Sequence, residues 1–347
     1  MAKNKDVVDL SGFKTLKNDI KENKIQSLYL FHGEEGYLKR FYLSAVKKAL
    51  IQQGFEDFNY HVIDTKDFSV QGLQDEIDAL PMMAERSLIV VSDFDLLGAN
   101  AEIKEKLQVV LADLPEYVCV IFLYTIINFE PDGRMKFSKF LQEKAIICNF
   151  AKQNQTDLVN WVQRRFSSMG KDISLELSTE LLFYCGTLMD YLVGEIEKIG
   201  HYAKAKQITM EDIRAVAIPE LDVVVFQMTD ALGNANFDKA SEILSGLYLR
   251  QEPPIKIFGA LGKQIRELYG AKLCLNEGKD AKYLSKLYGL HIYPAGLRIQ
   301  SARKFTLAWC QAAVILAQKT DLKLKSTGRD GQEVLTEFIL ELANLKG

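Results

Sequence analysis

Gly33, Glu34, Glu35 and Gly36 fall between an apolar run and a helical pattern in the segment SLYLFHGEEGYLKRFYLSAVKKAL, residues 27–50. A strand, a glycine turn and a helix in that order are the parts of a phosphate-binding loop. In such a loop backbone amides wrap the phosphates while a lysine and a hydroxyl hold charge and magnesium, which fixes the spacing GxxxxGK[ST]. In this chain the glycines are too close, Tyr37 and Leu38 stand where Lys and Thr are wanted, and Lys39 comes three positions after Gly36. A helix carries that lysine off the turn. The residues read as a strand-to-helix connection that has lost its nucleotide, with weak anion occupancy at the helix N-terminus the most that is expected.

A second apolar run, SLIVVSDFD, ends in Asp93 and Asp95, where a magnesium-binding carboxylate would follow a buried strand. With no phosphate lysine upstream, the two read as a strand exit and a helix cap. His32, His61, His201 and His291 lie in unrelated contexts, and the five cysteines are widely spaced with no CxxC pair. No catalytic constellation, zinc module or other metal site is expected. Between these runs stands Leu80-Pro81-Met82-Met83-Ala84-Glu85-Arg86. Adjacent side chains on a helix point in different directions, so both methionines cannot face one core. Either one packs inward, the preferred reading from the residues alone, or both form a soft apolar knob for a partner. Near the C-terminus, residues 270–330 carry eleven Lys/Arg against four Asp/Glu. Lys319, Lys323, Lys325 and Arg329 gather around Ser326-Thr327-Gly328 as a solvated face, or as a contact for DNA or an acidic partner.

The elements that position these residues change in kind along the 347-residue chain. Apolar runs at 27–32, 59–63, 87–92, 118–124 and 145–150 alternate with helical patterns at 38–53, 69–80, 101–114 and 134–144, as a mostly parallel sheet flanked by helices requires. After residue 150 strands stop. Thr156 and Asp157 cap a helix through Trp161, others start near 173 and 189, and Thr209 precedes Asp212 by three residues in a capping pattern. Pro219 marks a second boundary, beyond which a bundle of about six amphipathic helices runs to the end. The expected domains are 1–150, 151–218 and 219–347. A net charge of −3 argues against nucleic-acid binding by the whole surface. The polar N-terminus and the absence of any run near the roughly 20 apolar residues of a membrane span make the cytoplasm the expected compartment.

Taken in order, LYLFHGEEGYLKRF, LPMMAERSLIVV, YCGTLMDYLVGEIEKIGHYA with Gly186, Asp190, Glu195 and Lys198, QITMEDIRAV, FGALGKQIRELYGAK, YPAGLRIQSARKF and DLKLKSTGRDGQEVLTEFILEL resemble delta subunits of the bacterial DNA polymerase III clamp loader. The resemblance spans nearly the whole chain. It implies a degenerate AAA+-like α/β domain, a small helical lid domain and an all-α collar that joins the other clamp loader subunits. It implies a non-catalytic subunit of the DNA-directed DNA polymerase holoenzyme. Such a subunit binds the sliding clamp (the beta subunit) and helps open its ring for loading on primed DNA, while neighbours hydrolyse ATP. No cofactor and no membrane association are implied. Met82 and Met83, with Leu80, Pro81 and Arg86, fall on the family's clamp-binding element, methionines replacing the more usual aromatic residues. Gly33, Glu34, Glu35 and Gly36 fall on a loop not expected to bind ATP, and the stretch 180–197 lacks an ATP-sensing arginine. The alternative is an atypical P-loop ATPase of the AAA+ class in which Lys39 reaches a phosphate.

Overall fold

A computed structural model describes residues 10–326 and 328–345. The polar opening at residues 1–9, and Thr327 in the basic loop, lie outside the described residues. The chain divides into two compact units, Met1–Asn154 and Gln155–Gly347.

The first unit is built on strands β1 (Leu28–His32), β2 (Tyr60–Asp64), β3 (Ser87–Ser92), β4 (Val118–Leu123) and β5 (Ile146–Asn149). They form a five-stranded sheet in the order β2-β3-β4-β1-β5, every pairing parallel. Register places Leu30 opposite both Phe122 and Ile147. The runs LYLFH, SLIVVS and VCVIFL are apolar without alternation because strands covered on both faces have no solvent side. Edge strand β2 is more polar and more exposed. The helices are α1 (Ser11–Glu22), α2 (Gly36–Leu50), α3 (Glu56–Asn59), α4 (Val70–Asp78), α5 (Ala101–Ala112) and α6 (Lys136–Lys144). Ser69 and Asn100 cap α4 and α5 through their side chains. Leu73 and Ile77 of α4, Leu107 of α5 and Leu141 of α6 pack with Leu30, Ile89, Val120 and Phe122 of the sheet. Each such side chain contributes about 1.5–3 kcal/mol by leaving water.

Helix α1 is absent from the sequence reading, because its sequence SGFKTLKNDIKE is mostly polar. Its burial comes down to Leu16 and Asp19, the latter accepting a hydrogen bond from the Tyr29 hydroxyl at 2.8 Å.

The second unit is helical apart from an isolated Asp172–Gln207 bridge. It contains α7 (Gln155–Ser168), α8 (Leu175–Cys185), α9 (Met189–Tyr202), α10 (Met210–Val216), α11 (Leu221–Gly233), α12 (Phe237–Leu249), α13 (Pro254–Asn276), α14 (Ala281–Tyr288), α15 (Ile292–Ala302), α16 (Leu307–Ser326) and α17 (Gly331–Ala343). Helix α7 runs seven residues past Trp161, where the sequence reading ends it. Thr209 and Asp212 form the reciprocal capping box at the start of α10. The bundle has one helix more than expected: α11 occupies the stretch read as a boundary. Three consecutive valines lower helix propensity, but Val223, Val224, Val225 and Met228 are buried, and packing overrides propensity. Long α13, begun by Pro254 at its first position, packs against α11, α15, α16 and α17 as the centre of the core.

Candidate functional site: a closed glycine loop and an exposed methionine turn

The Gly33 loop leaves the carboxyl end of β1, the side of a parallel sheet where ligands usually bind. Gly33 has φ +109°, and a Cβ there would lie 2.5 Å from the Phe150 carbonyl oxygen, so no other residue fits. That close approach ties the loop to the chain after β5: the Glu35 amide donates to the Phe150 carbonyl at 2.9 Å, and the Phe150 amide to that of His32 at 2.7 Å. The buried Glu35 carboxylate then accepts the Tyr37 amide at 3.3 Å. A negative side chain thus occupies the positive end of α2, where a phosphate would otherwise sit.

Lys39 is turned inward. Its Nζ donates to the carbonyls of Gly33 at 2.7 Å and Tyr124 at 2.6 Å, and burial lowers its pKa, with Asp93 and Glu35 pulling the other way. Burial, then the charge of Lys39, pushes the His32 imidazole down to about 4. Asp93, at φ +51°, accepts the amides of Thr125 and Ile126 at 2.8 Å and of Ile127 at 3.2 Å, together with the Thr125 hydroxyl. Burial works to raise its pKa, but these donors together hold it below the usual carboxylate range. The carboxylate that sequence places at a magnesium position is a clasp for the chain after β4. Asp95 accepts the Gly98 amide at 2.8 Å. A cleft of about 570 Å³ remains, lined by His32, Glu34, Arg40, Asn128 and Glu130 among others, with Lys39 facing its own backbone.

The turn between α4 and β3 has the opposite character. Leu80, Met82 and Met83 are 76, 52 and 77 % exposed, so the residues-alone expectation that one methionine packs inward is corrected. The physical reason is the backbone. Met83 sits at φ +51°, a left-handed conformation that costs a non-glycine residue about 1 kcal/mol and reverses the chain before an inward path is available. Fully buried Asn59 holds the turn from below: its Oδ1 accepts the Met82 amide at 2.8 Å, while its Nδ2 donates to the carbonyls of Met82 at 3.0 Å and Phe55 at 3.1 Å. Pro81 is half-buried. Arg86 points away from the methionines; its guanidinium donates to the carbonyls of Ile25 at 2.5 Å, Val118 at 3.0 Å and Gln26 at 3.3 Å. It anchors the start of β3 to β4 and to the chain before β1.

Sequence reasoning passed over Asn59, placing it as the first residue of a strand. The available signal was an amide in the apolar setting of FNYHV, where it must find partners inside.

Two family models match the chain: DNA polymerase III, delta subunit, over residues 29–151, and DNA polymerase III delta subunit, C-terminal domain, over residues 222–342. Together they cover well over half of it. The chain belongs to the DNA polymerase III delta subunit family. Among relatives of this delta-family chain, DNA polymerase III subunit delta of Bacillus subtilis is 22 % identical over 329 residues, covering 93 % of this chain and 94 % of that one. The probable DNA polymerase III subunit delta of Aquifex aeolicus is 22 % identical over 324 residues, covering 90 % of each. The solved structure of the Bacillus subtilis DNA clamp loader delta protein superposes with a TM-score of 0.58 at 21 % identity, covering 96 % of this chain and 100 % of that one. That likeness is one of fold: an AAA+-like parallel α/β unit followed by a mostly helical region.

Two further sets of residues singled out from this delta-family sequence are tied up internally. Glu195 on α9 is buried, paired with Lys198 at 2.8 Å and accepting the Ile218 amide at 3.2 Å, so it fastens the chain ahead of α11. Gly186 has φ +84°, and a Cβ there would lie 2.3 Å from a Glu220 carboxylate oxygen, while Asp190 lies in the first turn of α9. In the basic cluster, Lys323 pairs with Glu337 at 2.9 Å and Glu341 at 3.6 Å, Arg329 with Glu337 at 2.8 Å, and Lys325 with Asp321 at 2.7 Å. Lys319 is exposed. Of the four cations, Lys323 and Arg329 are thus paired with α17 and Lys325 with its own helix. Among the described residues, no helix is long and apolar enough to cross a membrane, and no cluster of His, Cys, Asp or Glu is arranged to hold a metal.

Proposed function

We propose that this chain is the clamp-binding subunit of a DNA polymerase III clamp loader, and that it helps open a sliding clamp without hydrolysing ATP. The observation that carries this reading is the exposed Met82-Met83 pair on a turn whose backbone is fixed. Burying two such side chains in a pocket on a partner is worth about 1.5–3 kcal/mol each. A ring is opened only by the part of that energy realised in the open state alone, and each 1.4 kcal/mol of difference shifts the balance about tenfold. Leu80 and Pro81 complete the apolar surface, and Arg86 holds the turn's exit. The name of the similar Bacillus subtilis structure, a DNA clamp loader delta protein, supports the same assignment. Residues 151–218 serve as the lid and 219–347 as the collar through which other loader subunits assemble. Exposed Lys319, beside the ion-paired Lys323, Lys325 and Arg329, meets DNA or a neighbouring subunit within that assembly. The site of action is the cytoplasm, on primed DNA.

The decisive experiment is calorimetric titration of the chain with the sliding clamp of its own organism. Met82→Ala with Met83→Ala is expected to weaken binding at least about tenfold, as for truncating a central apolar anchor. Unchanged affinity overturns the assignment. The same instrument checks nucleotide: Glu35 and Lys39 are committed inside the loop, so no micromolar binding of ATP with magnesium is expected. Micromolar binding abolished by Lys39→Ala would overturn the reading of a loop without nucleotide and reopen the atypical ATPase.

A further inference from the structure

A surface loop with two exposed methionines would ordinarily sample many conformations, and most would hide one side chain or the other. Here the loop is short of other anchors. Leu80, Met82 and Met83 face solvent, and Met83 holds a left-handed conformation that methionine does not favour by itself. Among the described residues, the side chain that grips the backbone of the turn at both its donor and its acceptor is Asn59, twenty-three positions earlier in the chain. Asn59 ends α3 and immediately precedes β2. Since β2 pairs with β3 starting at Tyr60 opposite Leu88, Asn59 lies just beyond the amino end of that ladder. Its primary amide there does what a neighbouring strand would do: it accepts one N–H and donates to one C=O of the same residue, Met82. The remaining amide proton goes to Phe55, so both donors are in use, and the side chain has no exposure through which water could substitute.

We propose that Asn59 is a positioning residue for partner binding. It keeps the Met82-Met83 turn in its binding-ready conformation in the free chain, so that the clamp meets a preformed knob. This rests on the assignment of that turn as the clamp contact. The physical consequence is a population effect. If the competent conformation falls to a fraction f of molecules, apparent affinity falls by the same factor, and the loss is seen in association more than in dissociation. Asparagine is required in both senses. Asn59→Leu keeps the branched skeleton, with bulkier methyls, and loses every hydrogen bond, whereas Asn59→Asp keeps the acceptor and sets a carboxylate oxygen against the Phe55 and Met82 carbonyls.

The test has two readouts. Amide hydrogen exchange on the unmodified chain should show the Met82 N–H protected on the order of a hundredfold over an open loop despite the exposed side chain. Asn59→Leu should abolish that protection while Val90 in β3 stays protected. Clamp titration with association kinetics should show Asn59→Leu weakening binding about tenfold, chiefly through a slower association rate. In the Met82→Ala, Met83→Ala background the same substitution should change affinity less than about twofold, because the knob it positions is already gone. Unprotected exchange at Met82 in the unmodified chain overturns the inference, and that readout stands even if Asn59→Leu does not fold. Parent-like affinity of Asn59→Leu, with the methionine variant weakened, also overturns it and leaves the clamp assignment intact. Unchanged affinity of the methionine variant removes both.

Discussion

The Gly33 loop and the Met82 turn belong to the same α/β unit, and each couples an unusual backbone conformation to a buried polar side chain. Around Gly33 the polar groups answer one another: the Phe150 carbonyl takes the Glu35 amide, the Glu35 carboxylate the Tyr37 amide, and Lys39 two carbonyls. Around Met82 the backbone groups are answered by Asn59, and what is left over is apolar surface facing water. The first region has the residue types of a chemical site, with Glu35 and Lys39 already bonded to its own backbone; the second has no chemically reactive residue and a surface that gains by being covered. Residue type alone therefore does not tell a bonded-up group from one that is open to a partner. What locates it is which groups the fold leaves without a better partner.

The contrast predicts that the loop sustains stability and the turn does not. The largest effect is expected from Gly33→Ala, which combines φ +109° with a Cβ 2.5 Å from a carbonyl oxygen and should cost about 3 kcal/mol or more in denaturant unfolding. Asp93→Ala strips a carboxylate from three amides and a hydroxyl, and a loss of about 2 kcal/mol is expected by the same measurement. The His32 imidazole titrates near 4 in the fold against about 6.5 unfolded, so between those values the unfolded chain binds more protons. Stability is thus highest above pH 6.5 and falls as pH drops toward 4. Allowing for partial solvent screening, His32→Gln should flatten the loss between pH 7 and pH 5 by about 1 kcal/mol. The smallest effect is expected at the turn, where Met82→Ala with Met83→Ala should leave unfolding within about 0.5 kcal/mol of the parent. A large loss there would mean that the methionines support the fold and would erase the contrast.

Much of this architecture was legible before any coordinates. The three central strands declare themselves as apolar runs, since strands covered on both faces need no polar alternation, and the missing lysine follows from spacing alone. Helix α11 was hidden because its valine run argues locally against the helix that burial enforces, and α1 because little more than Leu16 carries its apolar face. The site was only half visible. Met82 and Met83 can be named from the sequence, but the conformation that turns both outward depends on Asn59, and a bond between residues 59 and 82 leaves no local pattern. The basic cluster is the converse case. Lys323 and Arg329 look like an open positive face until α17 folds back and brings Glu337 between them.

One consequence of the Glu35 cap extends to time as well as shape. A loop that borrows its negative charge from a diffusible ligand must wait for that ligand to arrive, be consumed and leave, and its geometry changes at each stage. Here the charge is covalently part of the chain, one residue ahead of the helix it stabilises. It has no arrival rate, no lifetime and no concentration below which it is lost, so the start of α2 keeps its counter-charge whatever surrounds the chain.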